Sequence, residues 1–253
     1  THCIYRGLNP NFTDSFASLS KCAECNTVFL GDYKHGFDAS MYDYYTEYQG
    51  MSKSLIFDPV TLKSYQRVLD LMRAHVSGKD LLDVGCGKGD FVRASIDAGF
   101  DARGIELSSS AVSVAHQLNL PVDLTDFFSD SIKTCAYDVV SMFEVIEHVS
   151  NPVAFLRRAE QVLRPGGLLY LTTPNYDSID RRVMGRKWSV IHPEHLTYFS
   201  PRTLLAVIQQ QTNLVPVVCK TRNISMSLFR WPSGHLYSLR GVNAQSLDKV
   251  ESL

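Results

Sequence analysis

Three groups of residues in this chain have the types and spacing to do chemistry. Residues 81–89 read Leu-Leu-Asp-Val-Gly-Cys-Gly-Lys-Gly, an apolar run that breaks into three glycines at alternate positions. Glu106 follows Gly85 by 21 residues, at the end of a second short apolar stretch from Ala102 to Ile105. A buried strand that turns on glycines lets a ligand approach its backbone, because no Cβ stands in the way. A carboxylate at the tip of the next strand is placed to accept hydrogen bonds from a ribose diol. The pair implies a nucleoside-containing ligand. Gly85, Gly87 and Gly89 are spaced G-x-G-x-G, not the G-x-G-x-x-G that seats a diphosphate at a helix start. Asp83 and Asp90 flank them, and acidic neighbours suit a cationic or zwitterionic ligand.

The second group is Glu144-x-x-Glu147-His148. If the chain turns helical there, positions i, i+3 and i+4 share a face. Two carboxylates and an imidazole on one face suit Mg²⁺ or Mn²⁺ better than a thiophilic metal. Without a metal, His148 or the later His195 is the candidate general base, and Glu147 pairs with a backbone amide at a helix start. Between them lies Asn175 to Ile191, with Arg181, Arg182, Arg186, Lys187 and Trp188. That stretch is either a lid that grips a sugar, phosphate or carboxylate, or a solvated loop. The third group is Cys22-Ala-Glu-Cys25, a knuckle spacing with Cys3 19 residues upstream. Structural zinc on Cys3, Cys22 and Cys25 is the expectation, and two incidental thiols the alternative. A fourth cysteine would fall three residues before Cys3, ahead of Thr1, with His2 a weaker substitute.

The elements that must position these groups are legible from periodicity. Apolar runs at 80–84, 101–105, 121–125, 137–143 and 167–172 alternate with helical stretches at 89–98, 108–117 and 151–163. Such alternation predicts βαβ units and a parallel sheet covered on both faces. Val60 to Met72 has the spacing of an amphipathic helix. Arg164-Pro165-Gly166-Gly167 stops a helix, and Pro201 to Gln209 begins another behind Ser200 as N-cap. Residues 214–220 are strand-like. The predicted divisions are a small N-terminal subdomain at 1–37, a helical lead-in and ligand cover at 38–76, the α/β domain at 77–225, and a tail at 226–253. The lead-in begins with Tyr42, Tyr44, Tyr45 and Tyr48, of which Tyr42 and Tyr45 either close over the ligand or pack as helix-face aromatics.

Of the 253 residues 45% are hydrophobic, enough for a substantial core, and a net charge of −1 gives no electrostatic footprint for nucleic acid. No run reaches the roughly 18 apolar residues that a membrane-spanning helix needs, and no signal peptide is visible. Three of the six cysteines stand singly in apolar segments and read as small buried hydrophobes. A reducing, cytoplasmic setting is expected.

Across roughly residues 50–220 the sequence resembles the class I S-adenosylmethionine-dependent methyltransferases. Leu82 to Gly89 is similar to their first motif and Gly104-Ile105-Glu106-Leu107-Ser108 to their second. Tyr137 to Val149 resembles their fourth strand with its loop, and Leu163 to Asn175 their fifth. The resemblance implies a Rossmann-like, doubly wound sheet of seven strands with the last antiparallel. It implies S-adenosyl-L-methionine as cofactor, with Gly85 and Gly87 facing the methionine part and Glu106 binding the ribose hydroxyls. Asp83, Gly89 and Leu107 complete that wall. Asp126 and Phe127 would hold the adenine, with Asp123 competing for the role, and Phe143 and Glu144 would flank the cofactor.

The E-x-x-E-H pattern also resembles the metal sites of ubiquinone-pathway O-methyltransferases and of the enzymes that cap small-RNA 3′ ends. There a later histidine joins, here His195, with His192 nearby. Sugar and natural-product methyltransferases with a His195-Leu-Thr-Tyr-Phe-Ser type of segment often carry an N-terminal zinc ribbon. The function expected is methyl transfer to oxygen or carbon of a small-molecule acceptor, a sugar, natural product or quinone-like intermediate. The rivals are a metal-assisted 2′-O-methyltransferase of RNA ends, which the near-neutral charge and lack of an added RNA-binding module argue against, and a non-catalytic nucleoside-binding regulator.

Overall fold

The computed structural model describes residues 2–8, 16–31 and 59–221. The tyrosine cluster at 42–48 and the tail 226–253 lie outside them. Helix α1 (Pro59–His75) precedes strand β4 (Asp80–Val84), helix α2 (Asp90–Asp97), β5 (Asp101–Glu106), α3 (Ser109–Gln117) and β6 (Val122–Leu124). β7 (Tyr137–Phe143), α4 (Pro152–Val162) and β8 (Leu163–Thr172) follow. The five strands form one parallel sheet in the order β6-β5-β4-β7-β8. The order reverses between β4 and β7, and in such sheets ligands bind at the carboxyl ends of the strands beside that point.

Alternation along the central strands divides the core. Leu81 and Val139 face a cluster that includes Val68, Leu69 and Met72 of α1 and Phe91 and Val92 of α2. Leu82, Val84, Val140 and Met142 face the other side, where Ala159 and Val162 of α4 pack. Each such buried aliphatic side chain contributes about 1.5–3 kcal/mol relative to exposure. Polar side chains start the helices, as Ser108 accepts from the Ala111 amide and Asn151 from the Ala154 amide.

Three N-terminal strands, β1 (His2–Leu8), β2 (Phe16–Lys21) and β3 (Val28–Gly31), form an antiparallel sheet. Its fourth strand is β9 (Thr197–Tyr198), contributed by the chain after the large sheet. Leu19 and Val28 pack with Tyr176, Trp188, Ile191 and Tyr198. The N-terminal segment is thereby joined to the 175–200 region by both a ladder and a small core. Helix α5 (Ile179–Met184), a 3₁₀ turn (Gly185–Lys187) and helix α6 (Pro201–Gln211) complete the described elements. Ser200 caps α6 in a reciprocal capping box with Thr203, and Pro201 occupies its first position.

Of the seven strands expected, five lie in the parallel sheet among the described residues. Residues 214–220 carry no strand, and Val215 there is 81% exposed. An alternating run becomes a strand only where a neighbour completes its ladder, and none of the described residues does so for this one.

At the amino ends of the strands, Arg164 clamps two carboxylates. Its Nη1 lies 2.6 Å from Asp80 Oδ2 and 2.8 Å from Asp138 Oδ2, which also accepts from the Asp80 amide at 2.9 Å. Burial works against ionising Asp138, but the hydrogen bonds from Arg164 and the Asp80 amide outweigh it and hold the carboxyl below its usual value. For an exposed cluster of this kind, Arg164→Ala should lower the melting temperature modestly at neutral pH. A group with a depressed folded-state pKa loses its contribution as pH falls, so the difference should close below about pH 4. Thermal melts at pH 7 and pH 3.5 check both statements.

Candidate functional site

β4 ends in the glycine turn because its last positions have left-handed backbones. Gly85, Gly87 and Gly89 take φ of 67°, 54° and 87°, a region that costs other residues roughly 1 kcal/mol or more. A Cβ on Gly85 would also stand 2.7 Å from Val145. The turn is anchored by the Gly85 amide donating to the Ile105 carbonyl at 2.9 Å. α2 then starts directly after Gly89.

Glu106, at the end of β5, is only 7% exposed. Its Oε2 accepts from the Gly87 amide at 2.9 Å, and its Oε1 accepts from the amides of Leu107 (2.7 Å) and Ser108 (2.9 Å). The sequence motif and its distant acid are thus one hydrogen-bonded unit. Asp83 faces Ser141 across the β4–β7 ladder, and the Ser141 hydroxyl donates to Asp83 Oδ1 at 2.7 Å. Burial, partly offset by that hydrogen bond and reinforced by Glu106, pushes Asp83 up to about 7. Ser141 was not singled out by the sequence, since only parallel register brings it opposite Asp83.

The segment after β6 begins beside Glu106, whose carbonyl accepts from the Thr125 amide. Asp126 is exposed and its Oδ1 caps the Phe128 amide at 2.7 Å. Phe127 corrects the expectation of an adenine-facing ring: it is 3% exposed, packed against Phe155 in the core, while Phe128 is 46% exposed. Phe128 packs on the same Phe155 ring from the outside, with centroids 5.1 Å apart. Asp123 lies on β6, 3.8 Å from Arg103. Leu107 is partly exposed beside the pocket wall. Phe143 stacks in an aromatic group with Phe91, Tyr65 and Tyr170 at the end of β7.

Beyond Phe143 the chain forms a turn and not a helix, and Glu144 takes a left-handed φ of 53°. Glu144 is exposed, with its side chain beside that of Glu147, while Glu147, His148 and His195 converge, with one ligand atom from each lying within 4.8 Å of the others. Glu147 is 1% exposed, and neither of its carboxylate oxygens has a hydrogen-bond partner among the described residues. The nearby Thr173 hydroxyl is likewise buried and unpartnered. Burial first, then the Glu144 charge, pushes Glu147 up to about 8.

The two imidazoles are oriented by main-chain carbonyls. His148 Nδ1 lies 3.0 Å from the Glu194 oxygen, and His195 Nδ1 lies 2.7 Å from the Val190 oxygen. A carbonyl only accepts, so each ring carries its proton on Nδ1 and leaves Nε2 as a lone-pair donor. Burial draws both rings below the ordinary histidine value, His195 to about 4 with His148 adding to the effect. Their ring centroids are 4.7 Å apart. His192 stays at the rim, 3.9 Å from Glu194.

Of the insertion residues, Trp188 is core, Arg182, Arg186 and Lys187 are exposed, and Arg181 lines a separate cleft. Cys22 and Cys25 sit on the turn between β2 and β3. Amides of Cys25 and then Glu24 hydrogen-bond to the Cys22 sulfur and lower its thiol from the usual value. Backbone pairing sets Cys3 opposite Ser20.

A family model described as a methyltransferase domain matches residues 60–217. The chain is 32% identical over 136 residues to a ubiquinone biosynthesis O-methyltransferase of Paraburkholderia phytofirmans, a match covering 51% of this chain and 56% of that protein. A protein of the same name from Pseudomonas paraeruginosa is 31% identical over 137 residues, covering 51% and 57%. The chain spans about half the length of the curated relatives it matches. In fold it is similar to a SAM-dependent methyltransferase from Archaeoglobus fulgidus, with a TM-score of 0.51 and 18% identity over 67% of this chain and 73% of that one.

The raised Asp83 carboxyl has a measurable sign. A group that binds its proton more tightly folded than unfolded destabilises the fold as pH rises from its unfolded value, near 4, to its folded value, about 7. The protein without ligand should therefore lose stability across that window, and Asp83→Asn, which keeps the acceptor for Ser141, should flatten the slope. Urea unfolding at pH 5, 6, 7 and 8 measures it; an unchanged slope in the variant would remove Asp83 as its source.

Proposed function

The chain belongs to the methyltransferase-domain family, and on that premise we propose that it transfers a methyl group from S-adenosylmethionine to a hydroxyl of a small-molecule acceptor. The observation that carries the reading is the juxtaposition of two sites at the carboxyl ends of the central strands. Glu106 and the glycine turn form one, and Glu147, His148 and His195 form the other. Glu106 would receive the ribose diol, and Asp83 with the open turn would face the cationic methionine end. In the transfer, the sulfur–methyl bond breaks with its electron pair left on sulfur, the oxygen–methyl bond forms, and the hydroxyl proton departs. An in-line displacement of this kind draws much of its rate from positioning.

The acceptor side fits a divalent cation. A buried carboxylate with both oxygens unpartnered, beside two imidazoles whose Nδ1–H groups are already committed, is the donor set of a metal site. Glu147, His148 and His195 would hold the ion, with Glu144 beside Glu147 as a further carboxylate. A divalent ion there would supply Lewis acidity that lowers the pKa of the acceptor hydroxyl. The two imidazoles favour Mn²⁺ or Zn²⁺ over Mg²⁺. The O-methyltransferase names of the relatives support oxygen as the methylated atom. At the N-terminus we read Cys22 and Cys25 as two ligands of a structural zinc, on the strength of the amides directed at the Cys22 sulfur.

Calorimetry with S-adenosylmethionine should give an affinity that Glu106→Gln weakens about tenfold, or 1.4 kcal/mol; an unchanged value would sink the ribose assignment. After EDTA treatment, labelled methyl transfer onto a panel of phenols, sugars and RNA ends should recover with Mn²⁺ in the wild type and not in His195→Ala. Full recovery in that variant would dispose of the metal site. Zinc retained by the native protein and lost in Cys22→Ser, measured by elemental analysis, tests the ribbon.

A further inference from the structure

A cleft of about 470 Å³ opens between the N-terminal sheet and the chain around α5 and the start of α6. Three cations line it: Lys21 at the end of β2, Arg181 in α5 and Arg202 in the first turn of α6. Asp177 is the single acidic residue in the lining, and no ion pair within 4.0 Å joins it to any of the three among the described residues. In a protein of net charge −1, three cations facing one cleft with a single carboxylate leave a surplus of positive charge that an anion would offset.

Arg181 is held ready for one. Its guanidinium carbon stands 4.1 Å from the centre of the Tyr176 ring, and its Nη2 donates to the Tyr176 hydroxyl at 2.7 Å. Nε is buried with no partner among the described residues. Stacking fixes the plane of the guanidinium and so lowers the entropy lost on binding an oxyanion. The first turn of α6 adds the positive end of an 11-residue helix to the same cleft. Since Pro201 lacks an amide hydrogen and the Ser200 and Thr203 amides are taken by the capping box, the Arg202 amide is the donor left in that turn.

The cleft is also next to the metal-type cluster. Tyr198 lines it, and the centroid of that ring is 6.3 Å from that of His195. We propose that this cleft binds the phosphate or diphosphate of a phosphorylated small molecule. Resting on the methyl-transfer reading, this makes the acceptor an anionic, phosphorylated compound whose charged group is seated here while its hydroxyl lies towards His195.

Inorganic pyrophosphate, in buffer without added divalent metal, is the probe. Calorimetry on the wild type should detect binding that weakens as salt rises. Arg181→Gln should weaken it tenfold or more, and Arg181→Gln with Arg202→Gln should abolish it, while both variants keep the wild-type affinity for S-adenosylmethionine. No pyrophosphate binding by the wild type, or equal binding by the double variant, would overturn the site. In the methyl-transfer assay pyrophosphate should raise the KM of the acceptor and leave kcat alone. Binding without that rise would overturn the seating of the acceptor there. The calorimetric arm does not depend on turnover, so failure of methyl transfer itself is seen separately.

Discussion

One carbonyl oxygen organises the cluster of Glu147, His148 and His195. The amides of Leu196 and Thr197 both donate to the Glu147 oxygen, at 2.8 and 3.1 Å, and the Leu196 oxygen in turn accepts from the Leu30 amide at 2.9 Å. The turn after β7, the segment carrying His195 and the edge of the N-terminal sheet are thereby fastened together. Without that crossing, His195 would have no reason to stand beside His148, and β9 would have no place in the small sheet. The buried Glu147 carboxylate is held in the same knot with its oxygens unpartnered. Burying such a group uncompensated costs free energy.

The donor side rests on a different logic. There the strain is confined to glycines, and the polar groups satisfy one another: Glu106 with three amides, Asp83 with Ser141. It is a preformed wall. The two sides meet at the reversal of strand order between β4 and β7, so the sheet itself sets the separation between cofactor and acceptor chemistry. The N-terminal sheet is no loose appendage in this arrangement. Through Leu19 and Val28 it shares a core with Tyr176, Trp188 and Tyr198, and it brings Lys21 to the mouth of the cleft.

Much of the α/β domain was legible because its signals are local. The predicted strand at 80–84 matches β4, the one at 137–143 matches β7, and the helix behind Ser200 begins at Pro201. These rest on side-chain alternation, capping and proline placement within a few residues. At Glu144 a left-handed residue at the strand end begins a turn, so the helical spacing of Glu144 and Glu147 is not what brings their side chains together. Phe127 and Phe128 could not be told apart in sequence, because adjacent aromatics differ only in which faces the core. Residues 214–220 had the pattern of a strand, and none of the described residues gives them a ladder to join.

By itself, the sequence determined the strand and helix order, the glycine turn and its acidic partner, since each follows from steric and hydrogen-bonding demands of neighbouring residues. It also supplied a short set of candidates for the acceptor chemistry. Only the tertiary structure chose among them. His148 and the Glu194 carbonyl that orients it are 46 positions apart, and Asp83 and Ser141 are 58 apart. Contacts of that range depend on strand register and on where one loop crosses another, and no periodicity along the chain encodes either. The same crossing gathers Lys21, Arg181 and Arg202 from three separate elements into one cleft.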